Sequence, residues 1–146
     1  MSKINHITPE ELSQIRKPAA AGLLVLNDAG EFLLTQRSDK AHFLPGYWTV
    51  PSGESDVNKL ESLENCARRE FFEETTHRIP EKAKLVCIDR YFADERMYFL
   101  FLYRCKGRFF VKIDFEHKDV NWFKRDNLPS PMSPQILDAI ERIPYL

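Results

Sequence analysis

The stretch Arg69-Glu70-Phe71-Phe72-Glu73-Glu74 places three glutamates within five positions. At 3.6 residues per turn, a helix brings side chains 70, 73 and 74 into an arc of about 100°, so they share one face. Like charges this close repel by Coulomb's law, and the arrangement calls for a positive partner among them. A divalent cation meets that need. Hard oxygen ligands at i, i+3 and i+4 suit Mg²⁺ or Mn²⁺, which keep part of their water and take further ligands from a substrate's phosphates. A solvated acidic face is the alternative reading of the same three residues.

The flanking residues favour the cation. Glu61 lies eight residues before Arg69, and a glycine-containing turn, Pro51-Ser52-Gly53, follows a short strand expected at residues 48–51. The run Gly53…Glu61…Arg69-Glu70-Phe71-Phe72-Glu73-Glu74 resembles the signature of the Nudix hydrolases. That pattern is Gly, five residues, Glu, seven residues, then Arg-Glu-apolar-any-Glu-Glu-any-Gly-apolar. The match from Glu61 to Glu74 is in register. Seven residues separate Gly53 from Glu61 where the family has five, and Thr76 and His77 stand where the family closes with Gly and an apolar residue. Glycine takes the left-handed conformation at a helix end cheaply and threonine does not, so the helix is expected to end differently here. The resemblance extends over about residues 18–128, with the signature box at 53–77.

Composition agrees with one small enzyme domain over residues 1–146, a length that supports a sizeable core. With 22 acidic and 21 basic residues there is no general attraction to nucleic acid or to an anionic membrane. Three cysteines, Cys66, Cys87 and Cys105, form no close pair, which suggests neither a disulfide framework nor a zinc site and fits a reducing, cytoplasmic setting. Residues 1–6 lack the long apolar run of an export signal, and no stretch approaches the roughly 18 apolar residues of a membrane-spanning helix.

Along the chain, Thr8-Pro9-Glu10-Glu11 reads as a capping box opening a short helix over about 8–16. Residues 19–27 and 31–37 read as a hairpin about Asn27-Asp28-Ala29-Gly30, followed by a loop at 38–47. Leu60, Leu63, Ala67 and Phe71 recur at helical spacing and predict an apolar stripe beside the glutamates. Residues 84–92 and 97–105 predict a second hairpin about Ala93-Asp94-Glu95-Arg96, with further strands at 109–113 and 120–123. Ser133 and Pro134 start a terminal helix over about 131–143. This order predicts an α/β fold with a mixed sheet and helices on its faces. The resemblance implies the same: a Nudix-type α/β/α sandwich with a catalytic loop-helix-loop.

The resemblance also implies a chemistry. The family cleaves nucleoside diphosphates linked to another moiety, by attack of water on a pyrophosphate phosphorus. Anionic phosphate oxygens repel a nucleophile, and bound metal ions offset that repulsion. Glu70, Glu73 and Glu74 match the family's metal-binding glutamates, and the carbonyl of Gly53 matches its metal-binding glycine, for Mg²⁺ or Mn²⁺. Arg69 matches a residue that orients the glutamates, with Glu73 at i+4 as a partner. Glu116, six residues before Trp122, resembles a loop residue that supplies a further catalytic glutamate; Asp114, Asp119, His117 and His77 compete for the base role.

For the substrate, Arg37 ends the second strand where the family places a phosphate-contacting arginine. Phe43 and Tyr47 offer rings for a nucleobase, while Trp48 reads as core. Tyr91 stands fourteen residues beyond His77 with Arg90 beside it, and relatives acting on dinucleoside polyphosphates carry a tyrosine a little further downstream of the box. Relatives acting on ADP-ribose carry a proline there, and this chain has none between Pro80 and Pro129. The expectation is a nucleotide-derived small molecule cleaved at a phosphoanhydride: a dinucleoside polyphosphate, nucleotide sugar, ADP-ribose or nucleoside triphosphate. A catalytically silent nucleotide sensor is the alternative, and isomerase chemistry on the same scaffold lacks a suitably placed cysteine, Cys66 being within the helix. Dimers are frequent in the family, and residues 97–103 suit either a core or a homodimer interface.

Overall fold

The computed structural model describes residues 7–144, so the expectation for residues 1–6 lies outside it. A seven-stranded mixed sheet forms the middle layer, with strand order β3-β2-β1-β6-β5, β4 paired to β1 and β7 paired to β2. The strands are β1 (Ala20–Asn27), β2 (Glu31–Arg37), β3 (Trp48–Thr49), β4 (Ser52–Glu54), β5 (Val86–Ala93), β6 (Arg96–Cys105) and β7 (His117–Lys124). Three helices accompany them, α1 (Pro9–Ser13), α2 (Leu63–Thr75) and α3 (Pro134–Arg142).

Strand β1 is buried along its whole length, which explains its unbroken apolar run. Its alternate residues feed two cores. Ala21, Leu23 and Val25 pack with Cys66, Ala67 and Phe71 of α2, whereas Leu24 and Leu26 pack with Ile136, Ala139 and Ile140 of α3 on the opposite face. Phe71 is fully buried, a contribution of about 1.5–3 kcal/mol for its ring. Residues 97–103 fall in β6, bonded to β1 on one side and β5 on the other, and Leu100, Phe101 and Leu102 among them are buried in the core. Among the described residues no helix is long and apolar enough to cross a membrane.

The first hairpin opens into a fork. Strands β1 and β2 pair only beside their turn, at Val25↔Leu33 and Leu26↔Phe32. Each then keeps its outer partner, β6 or β7, while the inner edges diverge. Into the gap enter β3, bonded to β2, and β4, bonded antiparallel to β1 with Ala21 opposite Gly53. From Ser52 onward the expected turn Pro51-Ser52-Gly53 is instead strand β4, because the open edge of β1 supplies its hydrogen-bond partners.

Tertiary contacts trimmed other expected elements. The first helix stops at Ser13, since the N–H groups of Arg16 and Lys17 donate to the Glu95 carbonyl on the β5–β6 turn. The last helix starts at Pro134 after Ser133, as that start signal predicts, and residues 131–133 of the broader expected span stay outside it, because Trp48 N–H donates to the Pro131 carbonyl and Ser133 N–H to the Trp48 carbonyl, pulling that segment alongside β3. Leu60 is 91% exposed and lies before the helix, outside the apolar stripe. Residues 109–113 form no strand. Instead Lys112 N–H donates to the Thr75 carbonyl (3.0 Å) and Asp114 N–H to the Glu74 carbonyl (3.2 Å), supplying donors to the end of α2.

Helix α2 ends where a glycine would have ended it, contrary to expectation. Thr76 itself takes the left-handed conformation (φ 61°, ψ 6°), with its N–H on the Phe72 carbonyl at 2.8 Å. The Thr75 hydroxyl donates to the Phe71 carbonyl and accepts from His77 N–H, holding the turn, while His77 stacks on Phe109 at 3.7 Å. A threonine here carries a conformational cost of roughly 1–2 kcal/mol. Thr76→Gly is expected to raise stability by up to about 1 kcal/mol after the extra chain entropy of glycine is counted. Urea denaturation checks this, and a lowered midpoint would contradict it.

Candidate active site

The end of α2, the fork strand β4 and the start of β7 converge on one group of carboxylates. Helix α2 is capped at its start by Ser62, whose hydroxyl accepts from Asn65 N–H. The two extra residues before it are taken up by a single 3₁₀ turn, Val57–Lys59, closed by Leu60 in the left-handed conformation. The loop is then drawn shut, as Asp56 N–H donates to Glu61 Oε1 (3.0 Å) and Glu61 N–H donates to the Asp56 carbonyl (3.2 Å). Glu61 consequently reaches the position that its spacing in the signature demands.

Arg69 uses all five of its N–H donors there. Nε and Nη2 grip the Glu61 carboxylate at 2.6 and 3.0 Å, and Nη2 also bonds the Glu54 carbonyl at 3.0 Å. Nη1 bonds Glu70 Oε2 at 2.8 Å and Glu73 Oε2 at 3.0 Å. The expected pair with Glu73 is present, but the two-pronged hold on Glu61 is the stronger contact by geometry. Arg69 pulls the Glu61 carboxyl below its ordinary range, against the opposing effect of burial. Sequence spacing marked Glu61 only as part of a pattern; its partner became visible once the loop had closed.

Glu70 and Glu73 differ in setting. The Glu73 side chain is half exposed. The Glu70 carboxylate rests against Gly53, so closely that a Cβ built on that glycine would lie inside the carboxylate's van der Waals envelope. Only glycine leaves room for it. The Gly53 carbonyl in turn accepts from the buried Cys66 thiol at 3.3 Å.

Glu74 is 2% exposed. Burial, and then the neighbouring Glu70, Glu116 and Asp114, push its carboxyl up to about 11, so it is uncharged at neutral pH without a cation. Asp114 and Glu116 are raised by burial and by nearby carboxylates. His117 Nε2 lies 2.7 Å from Glu74 Oε1, and burial, followed by the charge of Arg37, lowers this imidazole to about 4, keeping it neutral. One ligand atom each from Glu74, Glu116 and His117 falls within 4.8 Å of the others. Glu74 Oε2 is buried with no hydrogen-bond partner among the described residues.

These features fit a divalent cation. The donors include hard carboxylate oxygens, one buried carboxylate oxygen is unsatisfied, and the Glu70 carboxylate lies against the backbone of Gly53. Glu116, and His117 beside it, join the carboxylates of α2 because residues 112 and 114 bond the end of that helix. His117 had entered the sequence reading only as a rival base; nothing in the spacing tied it to Glu74.

Beside the carboxylates opens a cleft of about 840 Å³, lined among others by Gly53, Glu116, Arg37, Arg96, Tyr98 and Phe115. Arg37 Nε donates to the Phe43 carbonyl at 2.6 Å, an anchor that turns on backbone rather than on the Phe43 ring. Phe43 and Tyr47 are half-buried and do not line the cleft. The aromatic residues that do are Tyr98 and Phe115, the latter 88% exposed. Phe115 had a signal in the sequence, an apolar residue between Asp114 and Glu116. Tyr91 is half-buried behind the cleft, stacked on Tyr98 with ring centres 5.2 Å apart, and Arg90 is exposed on the edge strand β5. Trp48 is core, edge-on to Phe123.

A family model described as NUDIX domain matches residues 16–143. The structure is similar to that of a MutT NUDIX hydrolase from Burkholderia pseudomallei, at 25% identity and TM-score 0.70, covering 88% of this chain and 99% of that one. It is also similar to an Ap4A hydrolase from C. elegans solved as a binary complex, at 27% identity and TM-score 0.62, covering 82% and 86%. The NUDIX domain of NrtR from Shewanella oneidensis, solved with ADP ribose, shares the fold at 21% identity and TM-score 0.65, covering 93% and 90%. Comparison with curated proteins finds no match.

The contact between Gly53 and Glu70 yields a test. In Gly53→Ala the added methyl displaces the Glu70 carboxylate, a flexible end, and leaves the sheet intact. Thermal unfolding is expected to be unchanged while Mn²⁺ affinity, read by electron paramagnetic resonance, falls about tenfold or more, as for lost orientation of a ligand. Wild-type Mn²⁺ affinity in a folded variant would remove Gly53 and Glu70 from the cation site.

Proposed function

This chain belongs to the NUDIX domain family and is a hydrolase of phosphorus-containing anhydrides, and from that premise we propose a Mg²⁺- or Mn²⁺-dependent pyrophosphohydrolase of nucleotide derivatives. The observation that carries the proposal is Glu74: a buried, uncharged carboxyl with one unsatisfied oxygen, set among Glu70, Glu116 and Asp114. Glu70, Glu73, Glu74 and the Gly53 carbonyl would hold the cation. When bound, the ion supplies charge neutralisation for the phosphate oxygens and lowers the pKa of water.

The chain's own groups account for the remaining work. Arg69 occupies no substrate role; four of its five bonds orient Glu61, Glu70 and Glu73, and the fifth holds the Glu54 carbonyl. Arg37, anchored through Nε, has two terminal nitrogens without a partner among the described residues, and it lines the cleft, where it would bind phosphate oxygens in two-pronged fashion. Glu116 faces the same cleft and would take the proton of the attacking water. An O–P bond then forms, the bridging P–O bond breaks, and the proton rests on the Glu116 carboxylate.

For the substrate, the missing proline between residues 80 and 129 and the likeness to an Ap4A hydrolase both support a nucleoside polyphosphate over ADP-ribose. The cleft volume of about 840 Å³ accommodates such a molecule.

Glu74→Gln tests the assignment. Against a panel of dinucleoside polyphosphates, nucleotide sugars, ADP-ribose and triphosphates, in Mg²⁺ and in Mn²⁺, turnover is expected to fall by a factor on the order of 10² or more with the fold intact. Running the wild-type reaction in oxygen-18 water identifies the phosphorus attacked. Undiminished turnover in Glu74→Gln would reject this site.

A further inference from the structure

His117 and Glu74 are each held rigidly before their side chains meet. His117 opens β7, where it stands opposite Arg37 of β2, and its N–H donates to the Asp114 carbonyl. Glu74 lies in the last turn of α2, and its carbonyl accepts from Asp114 N–H. Two elements far apart in sequence are thus joined by the same short segment, and the imidazole meets the carboxylate at 2.7 Å with side-chain exposures of only 2% and 3%. A contact so enclosed has no water to replace either partner.

A neutral imidazole carries one N–H. A carboxylate that ligates a cation is ionised and can only accept, so with the cation bound the facing ring nitrogen must donate, while Nδ1 of His117 is buried with no partner among the described residues. The proton therefore belongs on Nε2, aimed at Glu74 Oε1. That bond occupies one carboxylate oxygen and leaves Oε2 as the unsatisfied one.

We propose that His117 is a positioning residue for Glu74: its Nε2–H holds Oε1 and thereby presents Oε2 to the divalent cation. The inference rests on Glu74 being a cation ligand, as set out above. It assigns His117 neither to proton transfer nor to direct coordination. Partners that hydrogen-bond a ligating group and fix its orientation typically control metal affinity by 10- to 100-fold.

The test compares His117→Gln with His117→Asn. A glutamine amide nitrogen reaches the place of Nε2, whereas an asparagine amide nitrogen reaches only that of Nδ1. Mn²⁺ binding to the substrate-free protein, read by electron paramagnetic resonance, is expected to weaken roughly 10- to 100-fold in His117→Asn and to stay near wild type in His117→Gln. A folded His117→Asn that binds Mn²⁺ as wild type does, or a folded His117→Gln as weak as the asparagine variant, overturns the proposal. Should both variants unfold, nitrogen-15 NMR of the wild-type imidazole decides the matter: with Mg²⁺ added, Nε2 is expected to carry a directly bonded proton, and its absence would make His117 a ligand and overturn the positioning role. Wild-type protein that takes up no Mn²⁺ would instead reject the cation site itself, an outcome distinct from a failure of His117 alone.

Discussion

Gathering carboxylates at the end of a half-buried helix is the constraint from which the rest of this site follows. Each added negative charge raises the cost of ionising its neighbours, and burial removes the water that would screen them. The protein meets the cost in two ways. At the exposed side Arg69 binds Glu61, Glu70 and Glu73 together with four of its donors and the Glu54 carbonyl with the fifth. At the buried side no cationic side chain among the described residues is bonded to Glu74, whose carboxyl burial pushes up so that it keeps a proton instead. A cation that enters beside Glu74 replaces that proton with more charge than it removes, which is why the same arrangement that disfavours three bare carboxylates favours a divalent ion.

Precision at such a site comes from elements that cannot move independently. The fork between β1 and β2 forces β4 against β1, and with it the Gly53 carbonyl, whose missing side chain is the space that Glu70 fills. On the other side, backbone groups of residues 112 and 114 bond the last carbonyls of α2 and deliver Glu116 and His117 to Glu74. Neither connection involves a large buried surface. Both rely on satisfying backbone groups that would otherwise be left unpaired at a sheet edge and a helix end.

Two departures from the family pattern proved local in their effect. The longer loop adds a solvent-facing 3₁₀ turn and still closes between Asp56 and Glu61, so Arg69 finds its partner. Thr76 adopts the conformation that glycine would have taken, supported by the Thr75 hydroxyl, so the register of Glu70, Glu73 and Glu74 is undisturbed. These were the features that spoke for a silent binding domain, and neither displaces a carboxylate.

The sequence by itself determined the periodic part of this protein. The apolar run of β1 and its turn into β2, the stripe of Leu63, Ala67 and Phe71, and the spacing from Glu61 to Glu74 were readable because each is a local pattern recorded residue by residue, the last two repeating at the interval of a helix. What the tertiary structure decided lay at the joints. The conversion of Ser52-Gly53 from turn to strand, the loss of a strand at 109–113 and the shortening of α1 and α3 all depended on backbone partners distant in the chain. The meeting of His117 with Glu74, and the choice of Phe115 and Tyr98 over Phe43 and Tyr47 as the aromatic residues lining the cleft, belonged to the same class. Hydrogen-bond partners at such joints are chosen by proximity in space, and a one-dimensional pattern carries no measure of that distance.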